Sequence, residues 1–142
     1  MLEEIGFGHY CITNTNTPDK LLEVSASNHT SVTIGNPTTD CDPHQLWYIW
    51  GEGSYFHIRN GSGKCLAVSP PGAYSSVMGR DEPQVWIIEV VHEDHNFYGR
   101  IYANGTGLCL AQLPGANGTP QLQLVETSPD PNQIWKLWQM GA

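Results

Sequence analysis

Apolar residues in this chain recur in short, strand-length runs and never in a sustained helical period. Trp47-Tyr48-Ile49-Trp50, Trp86-Ile87-Ile88-Glu89-Val90 and Trp135-Lys136-Leu137-Trp138 are three such runs. Alternate positions in a run of this length face opposite sides of a strand. Asn, Gly, Pro, Ser and Thr separate the runs, and these residues supply the special backbone angles and local hydrogen bonds of turns. The pattern predicts an all-β domain.

The runs also repeat. Each is opened by one motif, Gln45-Leu46-Trp47, Gln84-Val85-Trp86 and Gln133-Ile134-Trp135, with the glutamines 39 and 49 residues apart. A second motif keeps step: Asn60-Gly61-Ser62-Gly63-Lys64-Cys65-Leu66-Ala67 is matched by Asn104-Gly105-Thr106-Gly107-Leu108-Cys109-Leu110-Ala111. A weaker first copy runs from Tyr10-Cys11-Ile12-Thr13-Asn14 to Lys20-Leu21-Leu22-Glu23-Val24. Each unit reads as four strands, so three units give about twelve. Propeller blades have a similar length, but a propeller usually needs four or more. Three units suit a pseudo-threefold β-trefoil, in which six strands close a barrel and three hairpins cap one end. The expected repeats span approximately 8–50, 54–90 and 96–138 of a single domain over 1–142. The repeated Trp then points inward, each burying about 150–250 Å², and Cys65 and Cys109 occupy equivalent inward positions.

Composition narrows the partners. The chain has 142 residues, enough for one domain with one core, and a formal net charge of -8 with six Lys and Arg. Phosphate recognition rests on clustered cations, so neither nucleic acid nor an anionic membrane is an expected partner. The opening Met1-Leu2-Glu3-Glu4-Ile5-Gly6 shows no basic segment followed by an apolar run, from which a cytoplasmic location is expected. The default reading of Cys11, Cys41, Cys65 and Cys109 is free thiols used as small hydrophobes, and their spacing fits no zinc motif. Asn28, Asn60, Asn104 and Asn117 each begin an Asn-x-Ser/Thr sequence. Such sequences are also ordinary turns, and that reading is preferred.

The Gln-x-Trp triplet, with Gly-x-Cys-Leu upstream, resembles the ricin-B-type β-trefoils over nearly the whole chain. In lectins of that family a repeat can build a galactose-type site from three parts. An Asp follows the Cys-Leu pair, an aromatic ring stands on the third strand, and an Asn precedes the Gln. The resemblance implies a glycan partner, but the parts are incomplete here. The Asp position holds Ala67 and Ala111 in two repeats and Glu23 in the first. The Asn position holds His44, Pro83 and, in the third repeat, Asn132. No third strand carries the aromatic ring. The residual sugar-site candidates are Glu23, His44, Gln45, Asn132 and Gln133.

The size, the pI near 5.0 and the eroded sugar positions also resemble small acidic fungal β-trefoil protease inhibitors of the cocaprin, mycocypin and mycospin groups, which leaves a role in defence or in endogenous regulation open. That resemblance implies a target protease, papain-like or pepsin-like, held reversibly by loops. A rigid, exposed loop enters a cleft with little ordering cost. Ser25, Ala26, Ser27, Asn28, His29, Thr30 and Ser31 form the first candidate loop. Pro70, Pro71, Gly72 and Tyr74 form the second, stiffened by paired prolines. Protease inhibition is the expected function, with a degenerate carbohydrate-binding site as the alternative.

Other constellations add little. His92-Glu93-Asp94-His95 reads as a solvated loop rather than a metal site. Asp40, Asp42 and Asp81-Glu82 lie in turn sequences. No nucleophile elbow, phosphate loop or dinucleotide fingerprint occurs. The chain is expected to be a non-enzyme without a cofactor, and a homodimer is compatible with it.

Overall fold

The computed structural model describes residues 8–28, 30–38, 42–53, 55–68, 76–115 and 120–140. Among them twelve strands follow in order: β1 (Gly8–Asn14), β2 (Leu21–Val24), β3 (Val32–Gly35), β4 (Trp47–Glu52), β5 (Tyr55–Asn60), β6 (Cys65–Val68), β7 (Val77–Arg80), β8 (Trp86–Glu93), β9 (Phe97–Ala103), β10 (Leu108–Leu113), β11 (Gln121–Glu126) and β12 (Trp135–Gln139).

Six strands close a ring. β1 pairs with β4, β4 with β5, β5 with β8, β8 with β9, β9 with β12, and β12 returns to β1, all antiparallel. A closed ring leaves no strand edge on which another chain could pair. The remaining strands form three hairpins, β2–β3, β6–β7 and β10–β11. Bridges between Ser31 and Met78 and between Ser76 and Gln123 join the hairpins. The architecture is a β-trefoil of three four-strand units, as the triple motif predicts.

The repeated tryptophans explain why the units are alike. Trp47, Trp86 and Trp135 start β4, β8 and β12 and are fully buried. Each indole N–H donates to the carbonyl of a buried leucine, Leu22, Leu66 or Leu110, at 2.9, 2.8 and 3.0 Å. One residue type thus fills the barrel and satisfies its own polar atom on the cap hairpin of its unit. Ile12, Ile58 and Ile101 extend the same core from β1, β5 and β9.

Two asparagines lash one unit to the next. Asn14 and Asn60 end β1 and β5 and are buried. Their side-chain amides donate to the carbonyls of Asn132 and His44 at 2.8 Å each. Their Oδ1 atoms accept from the N–H groups of Asn16 and Ser62 at 3.0 Å. Asn60 is therefore a buried tie as well as a turn residue. Ala103 stands in the third such register position, opposite Trp86.

Short 3-10 turns precede β4 and β12, at Pro43–Gln45 and Pro131–Gln133. Asp42 and Asp130 cap them by accepting from the N–H of His44 and of Asn132. Proline follows each cap, where no N–H is needed. The middle unit has Asp81-Glu82-Pro83-Gln84, with proline one place later, and no 3-10 turn forms there.

His92 and Glu93, expected in a loop, belong to β8, whose register shifts between Val90 and His92. The turn itself is tightened by Asp94, which accepts from the Asn96 N–H at 2.8 Å. Among the described residues no group of three or more His, Cys, Asp or Glu is placed to hold a metal ion.

Candidate functional site

In the first unit Glu23 on β2 stands opposite Thr33 on β3. The 3-10 turn brings Gln45 against this hairpin. The Gln45 amide donates to Glu23 Oε1 at 2.8 Å and to the Asn36 carbonyl at 2.7 Å. Its own oxygen accepts from the Thr38 N–H at 3.1 Å. Gln45 is thus fully used, and it fixes the carboxylate from one side. Glu23 Oε2 accepts no hydrogen bond from a described residue.

Gly35 makes room for this carboxylate. A Cβ placed there would run into all three atoms of the Glu23 carboxyl group. Glutamate is one methylene longer than the aspartate that the sequence resemblance leads one to expect, and the missing side chain at Gly35 accommodates the extra length. His44 lies beside the pair in sequence, but its ring turns the other way, with Nδ1 3.1 Å from Asp42 Oδ1. The His44 backbone N–H, and then its ring, hold the Asp42 carboxyl below the usual carboxylate range.

The other two units differ at the same register. Ala67 pairs opposite Met78 and Ala111 opposite Gln123. Both alanines are fully buried, so neither offers a polar atom to a ligand. Gln84 Oε1 accepts from the Val68 N–H at 3.1 Å. Gln133 accepts from the Ser128 N–H at 2.9 Å and donates to the Glu126 carbonyl at 2.8 Å. The conserved geometry of the three glutamines is therefore to pin the end of a hairpin strand, and in the first unit one amide proton reaches a carboxylate as well.

The five residual sugar-site candidates fall in two places. Glu23, Gln45 and the backbone of His44 share the first unit. Asn132 and Gln133 lie in the third, with no carboxylate at the Ala111 position. The Asn132 Oδ1 is buried without a hydrogen-bond partner there. Sequence reasoning missed Gly35, Asn36 and Thr38. The one available signal was a glycine in the third strand where a side chain was expected.

The first candidate loop is internally tied. Asn28 Oδ1 accepts from the N–H groups of Thr30 and Ser31 at 2.9 Å each, and Asn28 Nδ2 donates to Ser31 Oγ at 2.9 Å. Ser25 Oγ lies 2.8 Å from Ser27 Oγ, and Ser25 N–H donates to the Ser31 carbonyl at 2.8 Å. The Thr30 carbonyl accepts from Gly79 N–H at 2.7 Å, anchoring the loop to the neighbouring hairpin. Ala26, Ser27, Asn28 and Thr30 are exposed. His29 lies outside the described residues, as do Pro70, Pro71, Gly72 and Tyr74 of the second candidate loop.

Residues 43–123 match the family described as ricin-type beta-trefoil lectin domain-like. No curated protein matches the chain at a significant level. Among solved structures, the Macrolepiota procera ricin B-like lectin in complex with lactose superposes with a TM-score of 0.79 at 21% identity, covering 97% of this chain and 100% of that one. The Rhizoctonia solani agglutinin gives 0.72 at 20% identity, covering 99% and 100%. The designed threefold-symmetric protein ThreeFoil gives 0.76 at 20% identity, covering 94% and 99%. At these identities the likenesses establish the fold. With more than half of its residues matched, this chain belongs to the ricin-type β-trefoil lectin domain-like family.

Proposed function

We propose that the protein is a non-catalytic carbohydrate-binding domain with one working sugar site, in its first unit. The observation that carries this reading is the Gln45 amide on Glu23 Oε1 at 2.8 Å, which leaves Oε2 to accept from a sugar hydroxyl. A carboxylate held by an amide is a strong, directional acceptor for vicinal hydroxyls. The family supports the same reading, and one structural neighbour was solved with lactose. A galactoside is accordingly the ligand of choice. Without an aromatic platform on β3 the affinity is weak, with Kd in the millimolar range, about -4 kcal/mol. Titration of the protein with lactose, followed by NMR, tests it. Shifts confined to Glu23, Thr33, Gly35 and Gln45 are expected. A flat titration together with a blank glycan array would overturn the reading.

A second reading is favoured by one specific observation, the hydrogen-bond web around Asn28. An exposed loop ordered before contact loses little entropy on entering a protease cleft. In this reading residues 25–31 inhibit a papain-like or pepsin-like protease. Absence of inhibition of both classes at high micromolar protein would remove it.

A further inference from the structure

The outer wall of the barrel carries a second feature, unrelated to the Glu23 hairpin. Three residue triads lie across adjacent barrel strands in equivalent register. They are His9–Tyr48–Arg59 on β1, β4 and β5, Tyr55–Ile87–Tyr102 on β5, β8 and β9, and Tyr98–Lys136–Thr13 on β9, β12 and β1. The second triad holds no cation. In the third, the Lys136 ammonium lies over the Trp138 and Tyr98 rings at 4.6 and 6.0 Å, and Thr13 is buried. The first triad borders a cavity. An open hollow of about 520 Å³ is lined by His9, Tyr48, Arg59, Asn60, Gly61 and Gly63.

His9 and Tyr48 give the hollow two rings, and Trp50 continues their row beyond it. Tyr48 and Trp50 alternate with the buried Trp47 and Ile49, so they face away from the core. The His9 and Tyr48 ring centres are 5.2 Å apart, and Tyr48 stacks on Trp50 at 5.4 Å. The Arg59 guanidinium sits over the Trp50 ring at 5.5 Å, a contact that orients the cation at a cost of little solvation. Gly61 and Gly63 also line the hollow and contribute no side chains. At Gly63 φ is 105°, a backbone angle that favours glycine, and nothing lies within 4 Å of a Cβ built there.

Charge decides what the hollow is suited to hold. The chain has six Lys and Arg against fourteen Asp and Glu. Lys64 and Arg100 are paired with Asp81 and Glu89. Lys20 donates to Asn36, and Arg80 donates to the carbonyls of Glu82 and Pro83. The Arg59 side chain makes no hydrogen bond or ion pair with a described residue. In a protein this acidic, a guanidinium with no carboxylate paired to it among the described residues, at a cavity rim, is a place for an incoming anion. Its planar fork matches a carboxylate in two-point contact, and the adjoining rings suit the C–H face of a pyranose.

We propose that this hollow binds a carboxylated sugar, with the carboxylate on Arg59 and the apolar ring face on Tyr48 and His9. The site shares no residue with the Glu23–Gln45 pair, so it stands or falls separately from the galactoside reading. Two sources share this chemistry, a terminal sialic acid and a uronic-acid oligomer. Calorimetric titration with the methyl glycoside of N-acetylneuraminic acid and with digalacturonic acid distinguishes them, with lactose as the probe of the Glu23 site, using the wild-type protein, Arg59→Ala and Glu23→Ala. Arg59 is exposed, so its replacement leaves the barrel intact. At least one acidic probe is expected to bind, to weaken at least about tenfold in Arg59→Ala, to be unchanged in Glu23→Ala, and to weaken as salt is raised. Binding that survives Arg59→Ala, binding lost in Glu23→Ala, or no binding of either acidic probe at concentrations on the order of 10 mM would overturn the proposal.

Discussion

Gln45 and Glu23, 22 residues apart in sequence, meet through a 2.8 Å hydrogen bond from amide to carboxylate. The same glutamine in the other two units meets no acid, because Ala67 and Ala111 stand where Glu23 does. Among the described residues, threefold symmetry in the backbone is thereby combined with one glutamine–carboxylate pair. The glutamine pins a hairpin strand in all three units and in one also holds a carboxylate.

Gly35 offers a probe of that site that spares its chemistry. In Gly35→Ala the new Cβ meets the far end of the Glu23 side chain, which swings away and breaks its bond to Gln45. Lactose binding is expected to fall about tenfold, close to the effect of Glu23→Ala, since one charge-assisted hydrogen bond is worth roughly 1.5–3 kcal/mol. Thermal unfolding should shift by only a few degrees. Full lactose affinity in Gly35→Ala would mean that the Gln45 contact does not set the site.

The three indole hydrogen bonds predict three similar penalties. Trp→Phe at position 47, 86 or 135 leaves a void and removes the donor to a buried carbonyl. Each is expected to cost about 2–4 kcal/mol in urea denaturation. A substitution that costs nothing would show that its unit does not depend on the shared core contact.

These tryptophans are legible in the sequence because one residue type serves one position three times, and the repeated motif survives both a ten-residue difference in spacing and the loss of everything around it. The site was less legible. Gly35 reads as a third-strand position without a side chain, yet its role depends on the length of Glu23 across the hairpin. Asn60 sits in an Asn-Gly-Ser turn sequence, but its burial follows from β5 ending against the 3-10 turn of the preceding unit. The His9–Tyr48–Arg59 alignment joins residues from three strands, and only the register of those strands brings them together. Local pattern reports which face a residue takes. It does not report which distant residue shares that face.

Asn60 and Asn104 begin matching sequence motifs, but the turn of the third unit opens one residue earlier, at Ala103, and Asn104 is exposed where Asn60 is buried. Asn60→Ala leaves the His44 carbonyl and the Ser62 N–H without their partner, an expected loss of about 1–3 kcal/mol. Asn104 is exposed, and Asn104→Ala is expected to change stability by less than about 0.5 kcal/mol. Equal effects in chemical denaturation would contradict the tie between units.

Burial raises the Cys65 and Cys109 thiols above the ordinary value of 9.0. An acid whose folded pKa is raised gives up protons more readily when unfolded. Its contribution to stability is therefore complete below 9.0 and is lost as pH rises through the raised folded value. Urea midpoints should fall across that alkaline range, and less steeply in Cys109→Ala. At neutral pH both thiols should react with a disulfide reagent only as fast as the fold opens. Immediate labelling of either would contradict its burial.

The loop at residues 25–31 owes its shape to Asn28, whose side chain makes hydrogen bonds to Thr30 and Ser31. Asn28→Ala removes these contacts from an exposed segment, so the global stability should change by no more than about 1 kcal/mol. Amide exchange at Thr30 and Ser31 should nevertheless quicken, because their N–H groups lose their acceptor. If the loop inhibits a protease, the inhibition constant should rise by about tenfold or more as the ordering cost moves into the binding step. Asn28→Asp keeps the acceptor for both N–H groups, so it should retain slow exchange and most of the inhibition. Faster exchange in Asn28→Ala with an unchanged inhibition constant would separate loop order from protease binding and remove the loop from the inhibitory surface.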